Sequence, residues 1–173
     1  MRIKLAHALT FTLLVWTVAA SNPALAPWRT ASETELRKVI PARAPVIQEN
    51  IETEFRTASG VTDGQGKFIA GVVMITAGYS AEGKYSHFFI AQVPMKVGDF
   101  SLESGEYVFG YKRKTPDSIT VTFYRASSGD TVGEVEAFRD KKSSVVRTLL
   151  IQPASNGKGT IQIGRFLFDY RLS

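Results

Sequence analysis

The stretch EYVFGYKRKTPDSITVTFYRASSGDTVGEVEAF, residues 106–138, decides the fold of this chain. In its middle, Ile119, Val121 and Phe123 alternate with threonine and tyrosine, which is the period of a strand that buries one face. Runs rich in β-branched and aromatic residues lie on both sides, each separated from the middle run by a polar turn. Neighbouring short strands usually pair with each other, so the stretch predicts an antiparallel meander.

Runs of the same composition continue outside this stretch. The predicted strands are 68–77, 84–93, 106–113, 118–125, 131–138, 144–152 and 160–172. Turn residues separate them at intervals of roughly 8–12 residues, which is typical of a sandwich or a small barrel. The sequence therefore predicts a single all-β domain over residues 60–173, mainly an antiparallel meander of about 7–8 strands.

The first two runs, 68–77 and 84–93, are apolar on both strand faces. This composition predicts central strands that are covered on both sides. The alternatives are a subunit interface or an apolar ligand cavity, whose candidate lining residues are Phe68, Val72, Phe88 and Phe89. Core packing is the preferred interpretation, because aromatic and branched side chains fill cores first.

The last run changes phase along its length. Ile161 and Ile163 share one parity, whereas Phe166 and Phe168 share the other. A β-bulge near Gly164 would bring both sets to the same side of the sheet. The aromatic alternation also raises the alternative of an outer-membrane barrel, although the run 131–138 has two glutamates on one face and fits a lipid-facing apolar row poorly.

Residues 27–59 are predicted to form a polar leader before the β domain. Ser32 followed by Glu35 has the spacing of a capping box, which predicts a short helix over 33–39. Residues 46–58 fit helical spacing and strand alternation equally, and we slightly favour a helix. Several prolines interrupt the leader, so we expect it to be loosely packed rather than a partner-binding arm.

The first 26 residues have the layout of a secretory signal peptide. Arg2 and Lys4 precede an apolar run, and small residues allow cleavage after Ala26 or after Ala20. An uncleaved anchor is the alternative, but the run is short for a membrane span of roughly 20 residues. The mature protein is therefore expected to be secreted or periplasmic. The chain has no cysteine, so its core must stabilise it without disulfides.

The sequence carries no catalytic signature, and we expect the protein not to be an enzyme. His87 is the one histidine after the predicted signal peptide, and Ser86 should point to the opposite strand face. Glu134 and Glu136 share a strand face and could form a glycosidase-like carboxylate pair, but a solvated face explains them more simply. Neither a metal site nor a cofactor is predicted, since one histidine cannot build a His-rich site and no glycine-rich phosphate loop is present.

Basic residues cluster at two predicted turns. They are Lys112, Arg113, Lys114, Arg139, Lys141 and Lys142. Every second turn of a meander lies at the same end of the sheet, so these turns should be neighbours and form a basic rim for an anionic surface. Removing Arg2 and Lys4 lowers the formal net charge from +5 to +3. Such a modest charge does not predict nucleic acid as a partner.

The preferred function is that of an exported, non-enzymatic β-sandwich domain, a binding or structural module of the cell envelope. Its partner would be an envelope protein, a polysaccharide or a lipid surface, contacted through exposed turns. The alternatives are a small barrel that binds an apolar ligand, an outer-membrane barrel and a secreted hydrolase. The sequence leaves the oligomeric state open.

Overall fold

The strand predicted at residues 118–125 forms with those bounds, and an antiparallel sheet extends from it on both sides. The structure, a computed structural model, describes residues 27–142 and 144–172. The predicted signal peptide and both of its cleavage sites lie outside these ranges. Within them, neither helix has the length and apolar composition needed to cross a membrane.

Thirteen strands and two short helices make up the described chain. In order they are β1 (Arg29–Thr30), α1 (Glu33–Val39), β2 (Arg43–Val46), β3 (Glu49–Thr62), β4 (Phe68–Met74), α2 (Gly78–Ala81), β5 (His87–Ala91), β6 (Met95–Val97), β7 (Phe100–Leu102), β8 (Gly105–Thr115), β9 (Ser118–Arg125), β10 (Thr131–Arg139), β11 (Arg147–Ile151), β12 (Lys158–Gly164) and β13 (Phe166–Leu172). The all-β, antiparallel prediction is confirmed. The predicted strand count is too low, because strands of two or three residues such as β1, β6 and β7 are too short to show a period.

The sheet is nearly closed into a barrel. Strands pair in chain order from β3 through β4, β5, β8 and β9 to β10, as a meander predicts, and the β6–β7 hairpin is inserted between β5 and β8. The order then departs from a meander, because β10 pairs with β13 and the sheet continues through β12 to β11. The edge strand β11 lies against β3, where the Ile151 N–H donates to Ser59 Oγ at 2.8 Å. This contact joins the two edges of the wall.

Large side chains fill the barrel interior. Phe123 lies at its centre, with ring centroids 4.9 Å from Phe109 and 5.7 Å from Phe89. Tyr170 is fully buried beside them and its phenol donates to the Gln152 carbonyl at 2.7 Å. Burial raises the pKa of Tyr170 to about 12. The interior is therefore a packed core of the kind found in small barrels.

A second apolar core lies on the outer side of the wall, under the N-terminal segment. Its main members are Leu36, Ile40, Ala44, Val46, Ile51, Val72, Met74, Phe88 and Val108. Strands β4 and β5 contribute to both cores and are therefore covered on both faces, as their composition predicts. The expectation of a loosely packed leader is wrong, because α1 and β2 bury their apolar side chains in this core. Strand β3 also runs across the predicted boundary between residues 59 and 60.

Helix α1 begins at the predicted capping box. Ser32 Oγ accepts from the Glu35 N–H at 3.3 Å, and Glu35 Oε2 accepts from the Ser32 N–H at 2.8 Å. Arg29 adds a 2.6 Å ion pair to Glu35. The hydrogen bond from Arg29, followed by those from Ser32, lowers the pKa of Glu35 to about 2. Local sequence signals therefore suffice to place this helix.

Residues 49–62 form strand β3, so the slight preference for a helix over 46–58 is wrong. The first part of β3 pairs with β2, and it pairs with β4 on both sides of an irregularity between Glu54 and Ser59. Both periodicities are present in the sequence. The strand forms because these two neighbours satisfy its backbone hydrogen bonds, which no local pattern reveals.

The last run is a hairpin rather than one bulged strand. Ile163 pairs with Phe166 across a turn formed by Gly164 and Arg165. Gly164 has a φ of +61°, which suits the first central position of a type II′ turn. The turn accounts for the change in parity of the apolar residues, so the predicted bulge is absent from the hairpin. The aromatic side chains of β13, including Phe168, face the interior core.

Candidate functional site

One end of the barrel carries three connections rich in basic side chains. They are the β8–β9 turn, the β10–β11 connection and the β12–β13 turn, which with the adjoining strand ends comprise residues 112–117, 139–142 with 144–147, and 164–165. Backbone hydrogen bonds link them directly, from the Arg139 N–H to the Asp117 carbonyl at 2.9 Å and from the Asp140 N–H to the Arg165 carbonyl at 2.8 Å. We call this surface the basic end. The first two connections are neighbours, as the sequence predicts.

Two arginines from different connections converge on one point of the basic end. Arg113 Nη1 and Arg139 Nη2 both donate to the Pro116 carbonyl, at 3.1 and 2.8 Å. Both guanidinium groups also lie over the Phe166 ring, with Cζ 5.0 and 5.9 Å from its centroid. Cation–π contacts and shared acceptors hold these side chains in place. The positive charge at this point is therefore preorganised.

The positive charge of the basic end exceeds that of the whole described chain. Eight basic residues lie there: Lys112, Arg113, Lys114, Arg139, Lys141, Lys142, Arg147 and Arg165. Only Asp117, Glu136 and Asp140 oppose them, which leaves a formal charge of +5 against +3 for residues 27–172. The remaining described surface is therefore slightly acidic. Such an asymmetric distribution steers anionic partners to one end of the molecule.

Some of these charges are neutralised locally and others are not. Lys114 Nζ lies 2.7 Å from Glu136 Oε2, and Arg139 Nε lies 2.9 Å from Asp117 Oδ1. No carboxylate among the described residues forms an ion pair with Lys112, Lys141 or Lys142, all of which are exposed. These three lysines are free to meet an external anion.

Sequence reasoning missed Arg147 and Arg165 as members of this surface. Both are exposed, and they begin β11 and form the β12–β13 turn respectively. A meander built from the predicted runs does not bring either connection to the basic end, because it lacks the hairpin at Gly164. The strand order β10–β13–β12–β11 brings them to the basic end.

His87 lies near the basic end but is closed to solvent. Its ring stacks on Phe109 with centroids 4.6 Å apart and planes 11° apart, and Nδ1 lies 2.8 Å from Ser86 Oγ. The expectation that Ser86 points away from His87 is wrong, because Ser86 lies in the bend before β5, where strand alternation has not begun. Burial lowers the pKa of His87 to about 4, and the backbone of Thr148 acts in the opposite direction. The imidazole is therefore neutral near pH 7.

The Ser86–His87 pair lacks the other parts of a hydrolytic site. Ser86 Oγ also lies 3.2 Å from the Phe109 carbonyl, which competes for its proton. No carboxylate in the described ranges hydrogen-bonds to His87 to orient its ring. A hollow of about 410 Å³ adjoins the pair and includes Tyr111 and Arg147 in its lining. Polar groups of the hollow are available to a small molecule, but the Ser86–His87 pair supplies no activated nucleophile.

A second hollow, of about 360 Å³, lies beside α2. At the edge of this hollow, the Tyr79 phenol donates a hydrogen bond to Glu49 Oε1 at 3.2 Å. The charge of Glu49 raises the pKa of Tyr79, with burial as the next cause. Glu82 also lines this hollow, and its carboxylate pairs with Lys84 Nζ at 3.1 Å. The basic end contributes no residue to the lining of this hollow.

Glu134 and Glu136 lie on the outer wall, as strand alternation predicts. Thr122 Oγ1 donates to Glu134 at 2.8 Å, and Lys114 donates to Glu136 at 2.7 Å. The hydrogen bond from Lys114 is the main cause that lowers the pKa of Glu136. A glycosidase acid needs a raised pKa, so this pair is arranged for solvation and ion pairing.

The four candidate residues of an apolar ligand cavity are divided between two cores. Phe89 lies in the barrel interior, whereas Val72 and Phe88 lie in the outer core and Phe68 packs at its margin. The wall of the barrel separates Phe89 from the other three. The structure therefore does not bring these side chains together around one cavity.

Residues 27–142 and 144–172 contain no group of three or more histidine, cysteine, aspartate or glutamate side chains arranged to hold a metal ion. No family model matches the chain, and no curated protein or solved structure is significantly similar to it. The charge, burial and geometry of the basic end are therefore the evidence for function.

Proposed function

We propose that this chain is an exported, non-enzymatic binding module of the cell envelope, and that the basic end is its contact surface for a polyanionic partner. The concentration of charge at one end carries this proposal: the formal charge there is +5, although residues 27–172 sum to +3. Preorganised arginines and exposed lysines gain most from an external anion, because Lys112, Lys141 and Lys142 form no ion pair with a carboxylate of the described residues.

The other functions considered from the sequence have less support. The interior that an apolar ligand would occupy is filled by Phe89, Phe109, Phe123 and Tyr170. A hydrolase would need an activated nucleophile or a carboxylate of raised pKa, and neither Ser86 nor Glu136 has that environment. A rigid barrel with a charged end fits recognition better than catalysis.

The proposal is tested by charge removal at matched positions. Lys112→Gln, Lys141→Gln and Lys142→Gln are combined in one variant, and Lys67→Gln, Lys96→Gln and Arg171→Gln in a control. All six side chains are exposed and lie outside ion pairs of the described residues. On immobilised heparin, the first variant should elute at clearly lower salt than the wild-type protein, and the control should elute close to it. Equal shifts for the two variants would mean that only net charge matters and would overturn the proposal.

Export is tested separately on the protein recovered from cell fractions. The proposal expects it outside the cytoplasm, with a mass that corresponds to cleavage after Ala20 or Ala26. A full-length chain confined to the cytoplasm would contradict this part of the proposal, whatever the result on heparin.

A further inference from the structure

We infer that the partner of the basic end is the surface of an anionic lipid bilayer, with a row of apolar side chains meeting the headgroup layer. This inference rests on the proposed function and names its partner. Three of the most exposed large apolar side chains lie at this end: Phe138 is 58% exposed, Val146 56% and Val145 48%. Exposed apolar side chains mark a contact site where they lie together.

The register of the sheet places Phe138 in one row with Leu167 and Leu150, and a hydrogen bond ties the Val145 backbone to this row. Phe138 pairs with Leu167 across β10 and β13, and Leu167 pairs with Gln162 across β13 and β12. Gln162 Nε2 in turn donates to the Val145 carbonyl at 2.9 Å, and Gln162 also pairs with Leu150 of β11. Adjacent strands lie about 4.8 Å apart, so Phe138, Leu167 and Leu150 span roughly 14 Å of the outer wall, with the buried Gln162 between the two leucines. We call this arrangement the apolar row.

Basic side chains border the apolar row. Lys141 and Lys142 lie in the connection that joins Phe138 to Val145, and Arg165 is two residues from Leu167. All three are exposed and outside the ion pairs of the described chain. A membrane-surface element combines these two features, since cations attract anionic headgroups and apolar side chains enter the boundary with the acyl chains.

Other occupants satisfy only one of the two features. A polysaccharide would neutralise the lysines but would offer no apolar phase to Phe138 and Val146. A second copy of the chain in symmetric contact would cover the apolar row but would bring two basic ends together, at an electrostatic cost. Charge complementarity and exposed apolar area therefore both favour an anionic bilayer.

The test measures binding of the purified protein to phosphatidylcholine vesicles with and without phosphatidylglycerol. The wild-type protein should sediment with the mixed vesicles and much less with phosphatidylcholine alone. Phe138→Thr should weaken binding to mixed vesicles about tenfold, the change expected when half of a phenylalanine side chain is no longer buried. Ile47→Thr is the matched control, because Ile47 is 47% exposed beside the Ala126 turn, away from the basic end. It should leave binding unchanged.

A pair of charge variants and a fluorescent variant complete the test. Lys141→Gln with Lys142→Gln should weaken binding roughly 30-fold, at about 1 kcal/mol per lysine near an anionic surface. Phe138→Trp keeps an apolar side chain, so it should bind and shift its emission to shorter wavelength on mixed vesicles but not on heparin. Circular dichroism checks that each variant is folded.

The possible results separate this inference from the proposed function. Selective binding to heparin together with no binding to mixed vesicles would overturn the lipid inference and leave the proposed function standing. Equal vesicle binding by Phe138→Thr and the wild-type protein would do the same, since contact would then be purely electrostatic. A dimer seen by light scattering that Phe138→Thr dissolves would assign the apolar row to a second copy. If the lysine variant and its control also elute equally from heparin, both the lipid inference and the proposed function are refuted.

Discussion

Replacing Leu36 by alanine tests whether the N-terminal segment is part of the folded unit. Leu36 is 5% exposed, and a Cβ placed on Gly60 would lie 2.8 Å from Leu36 Cδ2. The side chain therefore packs directly on the backbone of β3, at a position that only glycine leaves open. Truncation of a buried leucine costs 2–5 kcal/mol, and α1 can relax at the surface, so we expect about 3 kcal/mol.

Urea and thermal unfolding of the variant measure this cost. A loss of about 3 kcal/mol should lower the melting temperature by roughly 6–12 °C in a chain of this size. Two signals separate local from global effects. Far-ultraviolet circular dichroism reports the barrel, and fluorescence reports the start of the N-terminal segment through Trp28, whose side chain packs against the interior core. If the segment undocks first, the fluorescence transition will precede the loss of strand signal.

Lys38→Ala is the control for Leu36→Ala, because Lys38 is exposed on the same helix and alanine suits a helix at both positions. It should change stability by less than about 0.5 kcal/mol. Unfolding of Leu36→Ala at the same midpoint as Lys38→Ala, by both signals, would refute the docked arrangement. The segment would then be the loose leader that its prolines suggest.

Two further predictions follow from single buried contacts. Stability should fall as the pH drops from 6.5 toward 4, because His87 has a pKa of about 4 when folded and near 6.5 when unfolded, so the unfolded chain takes up the proton. The full loss of stability is roughly 3 kcal/mol. In urea titrations, His87→Phe should make stability depend less on pH. An unchanged pH dependence would mean that other groups cause it. A Cβ at Gly159 would lie 2.3 Å from Tyr170 Cζ, so Gly159→Ala should cost about 2 kcal/mol, whereas Gly78→Ala meets nothing within 4 Å and should not destabilise. Similar melting temperatures for these two glycine variants would contradict the packing of Tyr170.

The basic end illustrates how far the candidate site was predictable. Lysines and arginines next to turn residues were visible at 112–114 and 139–142, and alternation gave the parity that makes those two turns neighbours. Arg147 and Arg165 were not predictable, because their place depends on β13 pairing with β10. The apolar row was hidden for the same reason: Phe138 and Leu167 are distant in sequence, and only the pairing of β10 with β13 brings them together.

The sequence by itself determined the features that depend on neighbouring residues. Alternation gave the bounds of β9, the capping box gave those of α1, and doubly apolar runs marked β4 and β5 as covered strands, because these patterns act over a few residues. Tertiary structure alone decided the strand identity of β3, the order β10–β13–β12–β11 and the near closure at Ser59 and Ile151. Each of these depends on which distant backbone satisfies a strand's hydrogen bonds and which side chains fill the two cores. The whole chain determines this pairing and packing, so no short stretch of sequence reveals them.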